Sequence, residues 1–369
     1  MKRQRHLYEV LLSEENLRLA ILTVNQTHRW HPKHRPNKTV ARVEADLDGF
    51  VLRLRMLLED GFEPLAPSVK RRWDKSAGKW RDISEPRLWP DQYVHHALIQ
   101  VLQPVMMRGM DDWCCGSIRG RGIHYGMQGI KRWMKRDRRG TRYCLEMDIR
   151  RFYDSLSPAV VLDRMRQLVK DRRVLDLISR VTRGGILIGA YTSQWFANTV
   201  LQPLDQLIRQ HACAKRYLRY MDNFTIFGSN KRQLRRLAGE ISGWLRDHGL
   251  AVKENWQIFP TAKRLPCALG YRYGRGYTLL RKRSALRLRR QIATLRYRRQ
   301  HHLRITPRFA AGLLSRMGQL RHCNSTAFYA RYVPNRMQKF LKQIVREYAR
   351  KERIAWSSTI FLEASPEMA

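Results

Sequence analysis

The feature that most constrains how this chain can fold is a pair of aspartates at the ends of apolar segments. Asp148 ends one apolar run, and 74 residues later Asp222 lies in the tetrad Tyr220-Met221-Asp222-Asn223 between two more. Residues at a strand end and at a hairpin tip meet only where the strands are neighbours in one sheet. Paired carboxylates suit Mg²⁺, and two such ions hold a hydroxyl and a triphosphate in line for nucleotidyl transfer. The spacing therefore predicts a site for two Mg²⁺ ions, or Mn²⁺, on Asp148 and Asp222.

The segments around these aspartates have the periodicities of a sheet covered by helices. Residues 143–149 alternate as a strand, with Glu146 and Asp148 on the face opposite the apolar side chains. Residues 216–228 form a hairpin that is predicted to turn at Asp222-Asn223. The order strand, helix, hairpin, helix, strand predicts an α+β fold with an antiparallel sheet and helices on one side. The other predicted elements are helices over 6–25, 42–60, 91–107, 193–211 and 231–248, a hairpin over 68–84, and strands near 251–259 and 268–280.

The charge balance indicates the class of partner. The 369 residues include 72 Lys and Arg against 31 Asp and Glu, a formal net charge of +41. Such an excess repels itself unless it meets a polyanion, and nucleic acid provides one through phosphate contacts and counterion release. A membrane surface is the competing partner, but the sequence has no apolar run of about 18 residues and no signal peptide. The six cysteines form no metal-binding pair, so we expect reduced thiols in a cytoplasmic protein.

Three motifs identify a family when they are taken together. Residues 147–155 read MDIRRFYDS, residues 188–198 read IGAYTSQWFAN, and residues 220–223 read YMDN. They resemble the first catalytic motif, the template- and nucleotide-positioning motif and the YxDD box of reverse transcriptases. The resemblance implies a right-hand polymerase of fingers, palm and thumb that copies RNA into DNA from dNTPs, with Asp148 and Asp222 as the metal ligands.

The resemblance also divides the chain into regions. It implies N-terminal helices and fingers over 1–140, a palm with the catalytic motifs over 141–280, a helical basic thumb over 281–350 and a C-terminal tail over 351–369. No maturase, endonuclease or RNase H extension follows the thumb, so we expect a compact enzyme with one function. Enzymes of this kind tend to copy a dedicated structured RNA into cDNA, often together with a small accessory protein or a second polymerase subunit.

Three further residues of the palm have roles by resemblance. The fourth position of the YxDD box is Asn223, which keeps one acceptor oxygen but loses the charge of the usual Asp, so we expect weaker or altered activity rather than loss. Tyr153 corresponds to the aromatic residue that excludes a ribose 2′-hydroxyl and so selects dNTPs, and a core tyrosine is the alternative. Lys253 matches the lysine that protonates the leaving pyrophosphate.

The second motif carries a hint of subfamily. Ile188 precedes Gly189, and Gln194 follows Ser193, where group II intron enzymes usually show Gln-Gly-x-x-x-Ser-Pro. The form seen here resembles the enzymes of diversity-generating retroelements, in which the missing Gln is associated with relaxed base selection. We therefore expect Ile188, Gly189 and Gln194 at the incoming nucleotide and Ser193 at the template. A buried aliphatic residue before a helix is the alternative reading of Ile188.

Basic residues ahead of the palm are candidates for phosphate contacts. Lys79 and Arg81 alternate onto one strand face of the predicted fingers hairpin, where they are expected to grip the triphosphate. A solvated hairpin with two cations is the alternative. Arg119 and Arg121 lie in the motif SIRGRG, whose glycines let backbone approach a template phosphate.

The C-terminal third carries the expected grip on the duplex. Residues 281–304 contain ten Lys and Arg and no acid around an apolar helical stripe, which favours a helix along the primer–template backbone over a merely solvated face. Arg287 and Arg290 of that helix are expected to contact the primer–template duplex. Leu269-Gly270-Tyr271 resembles the primer-grip turn, in which the glycine permits the tight bend.

The sequence is compatible with several functions. Mutagenic cDNA synthesis in a bacterial diversity-generating retroelement competes with antiphage defence by a domesticated bacterial reverse transcriptase. A third reading is a catalytically weakened RNA-binding scaffold that kept the palm, motivated by Asn223. An RNA-dependent RNA polymerase is disfavoured by Tyr153 and by the YMDN box.

Overall fold

The computed structural model describes residues 3–29, 37–74, 79–334 and 336–363, without the side chains of Asp74, Lys79, Arg81 and residues 351–363. The chain divides into two compact units. The first unit contains Met1–Gly126 and Arg139–Pro260, and the second contains Met127–Arg138 and Thr261–Ala369. The predicted region boundaries at 140, 280 and 350 stay predictions.

The helices and strands follow one another along the chain. The helices are α1 (Leu7–Leu12), α2 (Glu14–His28), α3 (Lys38–Ala45), α4 (Leu47–Glu59), α5 (Tyr93–Met107), α6 (Ile123–Arg136), α7 (Phe152–Ser155), α8 (Pro158–Arg166), α9 (Arg172–Thr182), α10 (Tyr191–Val200), α11 (Gln202–Gln210), α12 (Lys231–Asp247), α13 (Lys282–Gln300), α14 (Pro307–Gly318), α15 (Thr326–Tyr332) and α16 (Met337–Glu363). The strands are β1 (Ser68–Asp74), β2 (Lys79–Glu85), β3 (Tyr143–Asp148), β4 (Arg216–Tyr220), β5 (Asn223–Gly228), β6 (Gln257–Pro260), β7 (Cys267–Ala268), β8 (Tyr271–Tyr273) and β9 (Thr278–Leu280).

Helix caps divide segments that hydrophobic periodicity had joined. The single helix predicted over 6–25 is interrupted at Ser13, whose side chain accepts a backbone N–H in the first turn of α2. The helix predicted over 42–60 is divided in the same way by Asp46, which caps α4. A short polar side chain that accepts a backbone N–H starts a new helix without disturbing the apolar repeat, so periodicity alone misses the break.

The sheet that carries the two aspartates has four strands in the order β4-β5-β3-β6, and every neighbouring pair is antiparallel. This confirms the predicted α+β palm. Leu145 and Met147 of the central strand β3 are buried in the main hydrophobic core, and α12 packs on β3 and β6. The alternation along β3 therefore places Asp148 at the end of a strand that is fixed by its buried neighbours.

The second unit combines a small sheet with basic helices. Its strands pair antiparallel in the order β7-β8-β9, so the segment predicted as one strand near 268–280 is three short ones. Leu288, Ile292 and Leu295 of α13 are buried, which confirms the predicted helical stripe. Helix α14 packs against both α13 and α16. Among the described residues, no helix has the length and apolar character to cross a bilayer.

Candidate active site

Strand pairing brings Asp148 and Asp222 to one end of the palm sheet. Asp148 is the last residue of β3 and lies opposite Asn223, the first residue of β5. The next residue along the chain, Ile149, donates its backbone N–H to the carbonyl of Asp222 at 3.1 Å. The two aspartates therefore sit on adjoining backbone segments joined by a hydrogen bond, as the sequence predicted.

The turn itself lies one residue earlier than predicted. Tyr220 pairs with Asn223, so the two-residue loop is Met221-Asp222 rather than Asp222-Asn223. Met221 has a positive φ of 56°, the conformation that the first position of a primed hairpin turn requires. The prediction placed Asp222-Asn223 at the turn, whereas Met221 occupies the left-handed position in the structure.

Lys253 joins the site through both its backbone and its side chain. Its N–H donates to the Asp148 carbonyl at 2.8 Å, and its Nζ forms an ion pair with Asp148 Oδ1. The segment is held nearby by the Arg150 N–H, which donates to the Ala251 carbonyl at 2.7 Å. The predicted Lys253 thus lies directly on a predicted metal ligand.

The electrostatics of Asp222 are those of a crowded acidic site. Burial raises the pKa of the Asp222 carboxyl, and the negative charge of Asp148 raises it further. Asn223 Nδ2 donates to Asp222 Oδ1 at 2.9 Å, which opposes that rise by stabilising the ionised form. Asp148 Oδ1 has almost no exposed surface, and the Lys253 ammonium that contacts it is its counter-charge. A divalent cation on the two carboxylates would offset both the burial of the Asp222 charge and its repulsion by Asp148.

The donor set fits Mg²⁺ that is shared with a substrate. In the described parts of the chain, no three His, Cys, Asp or Glu side chains converge on one point. The protein offers two carboxylates, and Mg²⁺ is commonly bound by one or two carboxylates plus substrate phosphates and water. The site therefore suits an ion that arrives with a nucleotide rather than an ion caged by protein alone.

Tyr153 lies close to the acidic pair. Its side chain is half-buried and packs against the main core. Burial raises the pKa of the Tyr153 hydroxyl, and the negative charge of Asp222 raises it further. The core reading and the substrate-facing reading of Tyr153 are thus both compatible with its position.

The second motif packs on the end of the fingers hairpin. Gly189 donates its N–H to the Ser84 carbonyl at 3.2 Å, and its own carbonyl accepts from Gln92 Nε2 at 3.2 Å. A Cβ at Gly189 would lie 2.9 Å from Glu85 Cα, so the close approach requires glycine. Ile188 is 37 % exposed, which is inconsistent with its alternative reading as a buried residue.

The other predicted residues of this motif and of the hairpin differ in burial and in position. Gln194 is half-buried on α10, whereas Ser193 is buried, with 3 % of its surface exposed. The predicted hairpin of β1 and β2 is confirmed, and the backbones of Lys79 and Arg81 lie on β2. The side chains of these two cations lie outside the described part of the chain, so their triphosphate contacts stay predictions.

The arginines of the SIRGRG motif differ from each other. Arg119 is exposed. Arg121 forms an ion pair with Asp112 at 3.2 Å, and its Nη1 donates to the Asp111 carbonyl at 3.0 Å. Arg119 is therefore the better placed of the two to meet a phosphate.

The remaining predicted residues lie in the second unit. Leu269 and Gly270 form the two-residue loop between β7 and β8, with φ values of 55° and 84°, which confirms the tight turn. Tyr271 is buried and its hydroxyl donates to the Gln319 carbonyl at 3.0 Å. On α13, Arg290 is exposed and Arg287 is half-buried.

Sequence reasoning missed a buried polar group behind the Met221-Asp222 loop. Arg219 of β4 is fully buried, and its guanidinium forms a two-pronged ion pair with Asp205 of α11 and a hydrogen bond with Asn198 of α10. The available signal was weak, because β4 contains two arginines, Arg216 and Arg219, and only the second is fully buried. An arginine in a short strand is more often a solvent-facing residue, and nothing local marks the partners of Arg219.

Comparison with known proteins assigns the palm to a family. The family model described as reverse transcriptase (RNA-dependent DNA polymerase) matches residues 72–259, just over half of the chain, and no curated protein matches. Among solved structures, an apo telomerase from Candida tropicalis truncated from its C-terminal domain aligns with a TM-score of 0.41 and 14 % identity. That alignment covers 56 % of this chain and 53 % of the telomerase chain, so this chain spans about half the length of that structure. From the family match, the chain belongs to the reverse transcriptase family, whose fold is the right-hand polymerase.

Proposed function

We propose that this chain is an active RNA-directed DNA polymerase that copies a structured RNA into cDNA from dNTPs. The observation that carries the proposal is the end of the palm sheet, where Asp148 lies opposite Asn223 and beside the Asp222 loop, with Lys253 on the Asp148 carboxylate. Family membership gives the reaction class, and this geometry supports a working site in this particular chain.

The proposed roles follow from the charges at the site. Asp148 and Asp222 would hold two Mg²⁺ ions, which when bound activate the primer hydroxyl and stabilise the charge on the transferred phosphate. Asn223 keeps Asp222 oriented by donating Nδ2 to its Oδ1, a bond that a carboxylate at 223 would not donate. Lys253 neutralises Asp148 and carries the proton that the leaving pyrophosphate needs.

Substrate choice is proposed to rest on Tyr153 and Ile188. Tyr153 is near Asp222, where the sugar of an incoming nucleotide would lie, so its ring would exclude a 2′-hydroxyl. Ile188 is exposed on the loop before α10 and is available to contact a base or template without offering it a hydrogen bond. An apolar contact discriminates weakly between bases, which supports error-prone synthesis.

The duplex grip is proposed for the basic second unit. Helix α13 buries its apolar stripe and exposes arginines such as Arg290, a pattern that suits phosphate contacts along an A-form duplex. Arg119 would contribute a template phosphate contact in the first unit. The net charge of +41 supports nucleic acid as the binding partner.

The biological setting is proposed as a bacterial diversity-generating retroelement. The aliphatic-Gly-x-x-x-Ser-Gln form and the exposure of Ile188 favour it. Antiphage defence is the second candidate, favoured by Asn223, and a small accessory protein or second subunit fits either setting. Sequencing of nucleic acid that co-purifies with the protein would separate them: mutated copies of one structured RNA fit the retroelement, and faithful copies fit defence.

Primer extension on an RNA template tests the activity itself. Wild type with Mg²⁺ and dNTPs should extend the primer, and Asp222→Ala should not, whereas Asp154→Ala, which changes an exposed carboxylate in the same motif, should remain active. Extension that is equal in wild type and Asp222→Ala, or absent from both, would overturn the proposal and leave the RNA-binding scaffold. A parallel reaction with rNTPs tests Tyr153: Tyr153→Ala should accept rNTPs that wild type rejects.

A further inference from the structure

The buried arginine behind the catalytic loop has a third contact that its ion pair does not require. Arg219 has no exposed surface. Its Nε and Nη2 donate to the two carboxylate oxygens of Asp205, each at 2.7 Å. The remaining nitrogen, Nη1, donates to the Met221 carbonyl at 3.1 Å and to Asn198 Oδ1 at 2.8 Å. The planar guanidinium thus links a helix carboxylate to the backbone of the loop that carries Asp222.

Asp205 and Asn198 hold the guanidinium in one orientation. The Tyr217 hydroxyl donates to Asp205 Oδ1 at 2.5 Å, and Asn198 Nδ2 donates to the Gly116 carbonyl at 2.9 Å. Each member of the group therefore has its partners within the buried interior. Networks whose polar atoms are all satisfied are rigid, because any movement leaves a buried donor or acceptor unpaired.

The other side of the loop is closed by Gly116. A Cβ at Gly116 would lie 2.8 Å from Met221 Cγ and 3.1 Å from Met221 N, so only glycine leaves room for the methionine. Met221 itself holds a left-handed φ of 56°, which a side chain with a Cβ rarely adopts. A backbone in such a conformation persists only where its surroundings fix it. Here the surroundings are the Arg219 donor on the carbonyl side and Gly116 on the side-chain side.

We propose that Arg219, anchored by Asp205 and Asn198, is a positioning residue that fixes the Met221-Asp222 loop so that Asp222 faces Asp148 ready to share a cation. The inference rests on the proposed function, because it assigns a device for holding a metal ligand. A buried ion pair alone is weak support for a role in stability. The contact that points to positioning is the one from Arg219 Nη1 to the carbonyl that immediately precedes Asp222.

The test replaces the charged pair by a neutral one. In Asp205→Asn/Arg219→Gln both charges are removed together, so no buried charge is left unpaired, and the shorter glutamine does not reach the Met221 carbonyl. The probe is Mn²⁺ in the presence of a non-hydrolysable dNTP analogue, and binding is measured by electron paramagnetic resonance without any turnover. We expect the half-saturating Mn²⁺ concentration to rise by about 10- to 100-fold, the range typical when a group that orients a ligand is lost.

A matched control exists in the same unit. Arg209 also forms a two-pronged pair with Asp111, at 2.6 and 2.9 Å and with 26 % and 12 % of the side chains exposed, but its other hydrogen bonds go to the carbonyls of Lys215 and Tyr217 instead of Met221. Asp111→Asn/Arg209→Gln should therefore leave Mn²⁺ binding as in wild type. If both double variants weaken binding equally, the effect is general loosening of the fold and the positioning role is refuted.

Two further samples complete the design. Arg219→Lys keeps a buried cation for Asp205 and serves if the neutral pair does not fold; lysine lacks the planar fork, so Mn²⁺ binding should still weaken. Asp222→Ala sets the baseline. If wild type shows no Asp222-dependent Mn²⁺ binding and no primer extension, the proposed function itself fails. If wild type shows both and the Arg219 variants bind Mn²⁺ as wild type does, only the positioning role fails.

Discussion

Two ion pairs, each with one residue on the same sheet, differ in how far they are exposed to solvent. The Lys253–Asp148 pair lies at the open end of β3, with 42 % and 27 % of the side chains exposed. The Arg219–Asp205 pair lies beneath the neighbouring loop, with 0 % and 1 % exposed. An exposed pair is screened by water and its partners exchange at little cost, whereas a sealed pair cannot lose one partner without leaving a charge in the interior. The first pair is therefore suited to chemistry, and the second to holding the shape in which the chemistry occurs.

The largest effect is expected from removing charge at the open end. Asp222→Asn should lower primer extension by about 10³-fold or more, because charge stabilisation by bound cations contributes several kcal/mol and each 1.4 kcal/mol is about tenfold in rate. Single-turnover extension rates at saturating dNTP measure it. Asp154→Asn is the control, since its carboxylate is exposed in the same motif. Near-normal rates for Asp222→Asn would mean that the open end is not the catalytic one.

Breaking the sealed pair should act on stability first. Arg219→Ala leaves Asp205 buried without its cation, which costs about 3–5 kcal/mol of unfolding free energy. Urea unfolding followed by circular dichroism measures the change. Asp205→Asn/Arg219→Gln should recover much of the loss, since no unpaired charge remains. A loss below about 1 kcal/mol for Arg219→Ala would place this pair in the same class as the exposed one.

The exposed pair should show the reverse balance. Lys253→Gln removes a pair of the kind that contributes about 0–1 kcal/mol to stability, so its urea midpoint should stay close to that of wild type. Extension should nevertheless fall by about 10²-fold or more, the contribution typical of a positioned general acid. Single-turnover extension rates at saturating dNTP measure this, beside the urea midpoint of the same variant. A rate for Lys253→Gln close to that of wild type would remove the acid role from Lys253.

The two aspartates at the open end were predictable from sequence and the buried Arg219–Asp205 pair was not, for reasons that the fold makes clear. Period-two alternation fixes Asp148 at a strand end, and two apolar runs around Asp222 leave it at a hairpin tip. The exact turn was placed one residue late, because Met221 adopts its left-handed φ under tertiary contacts from Gly116 and Arg219. No local preference would assign that conformation to methionine.

Arg219 illustrates why the interior polar group escaped prediction. Its partners Asp205 and Asn198 lie on two different helices, 14 and 21 residues earlier in the chain. Helical and strand periodicities indicate which face of an element a residue occupies, but they do not indicate which side chain of a neighbouring helix or strand it contacts. The family motif contains Asn198 and the box begins right after Arg219, yet the hydrogen bonds that join them become visible only when both elements are packed.

The smallest expected effect is the direction in which Asp222 changes the stability of the fold, and it contrasts the open end of the sheet with the buried Arg219–Asp205 pair. The pKa of Asp222 is raised in the folded chain by burial and by Asp148, so the folded state binds its proton more tightly than the unfolded state does. Without divalent cations, the contribution of Asp222 to stability is therefore present below its unfolded pKa, near 3.8, and is lost as pH rises through its folded pKa. Above that window the ionised group works against folding. Asp222→Asn should accordingly be inactive but have a slightly higher melting temperature than wild type at pH 7 in EDTA. The difference in melting temperature should shrink towards pH 4. It should also shrink when Mn²⁺ and a dNTP analogue are added to wild type. Thermal unfolding at low ionic strength measures the difference in melting temperature. A variant that melts at a lower temperature than wild type at pH 7 would show that ionised Asp222 stabilises the fold, and would contradict the expected cost of burying it beside Asp148.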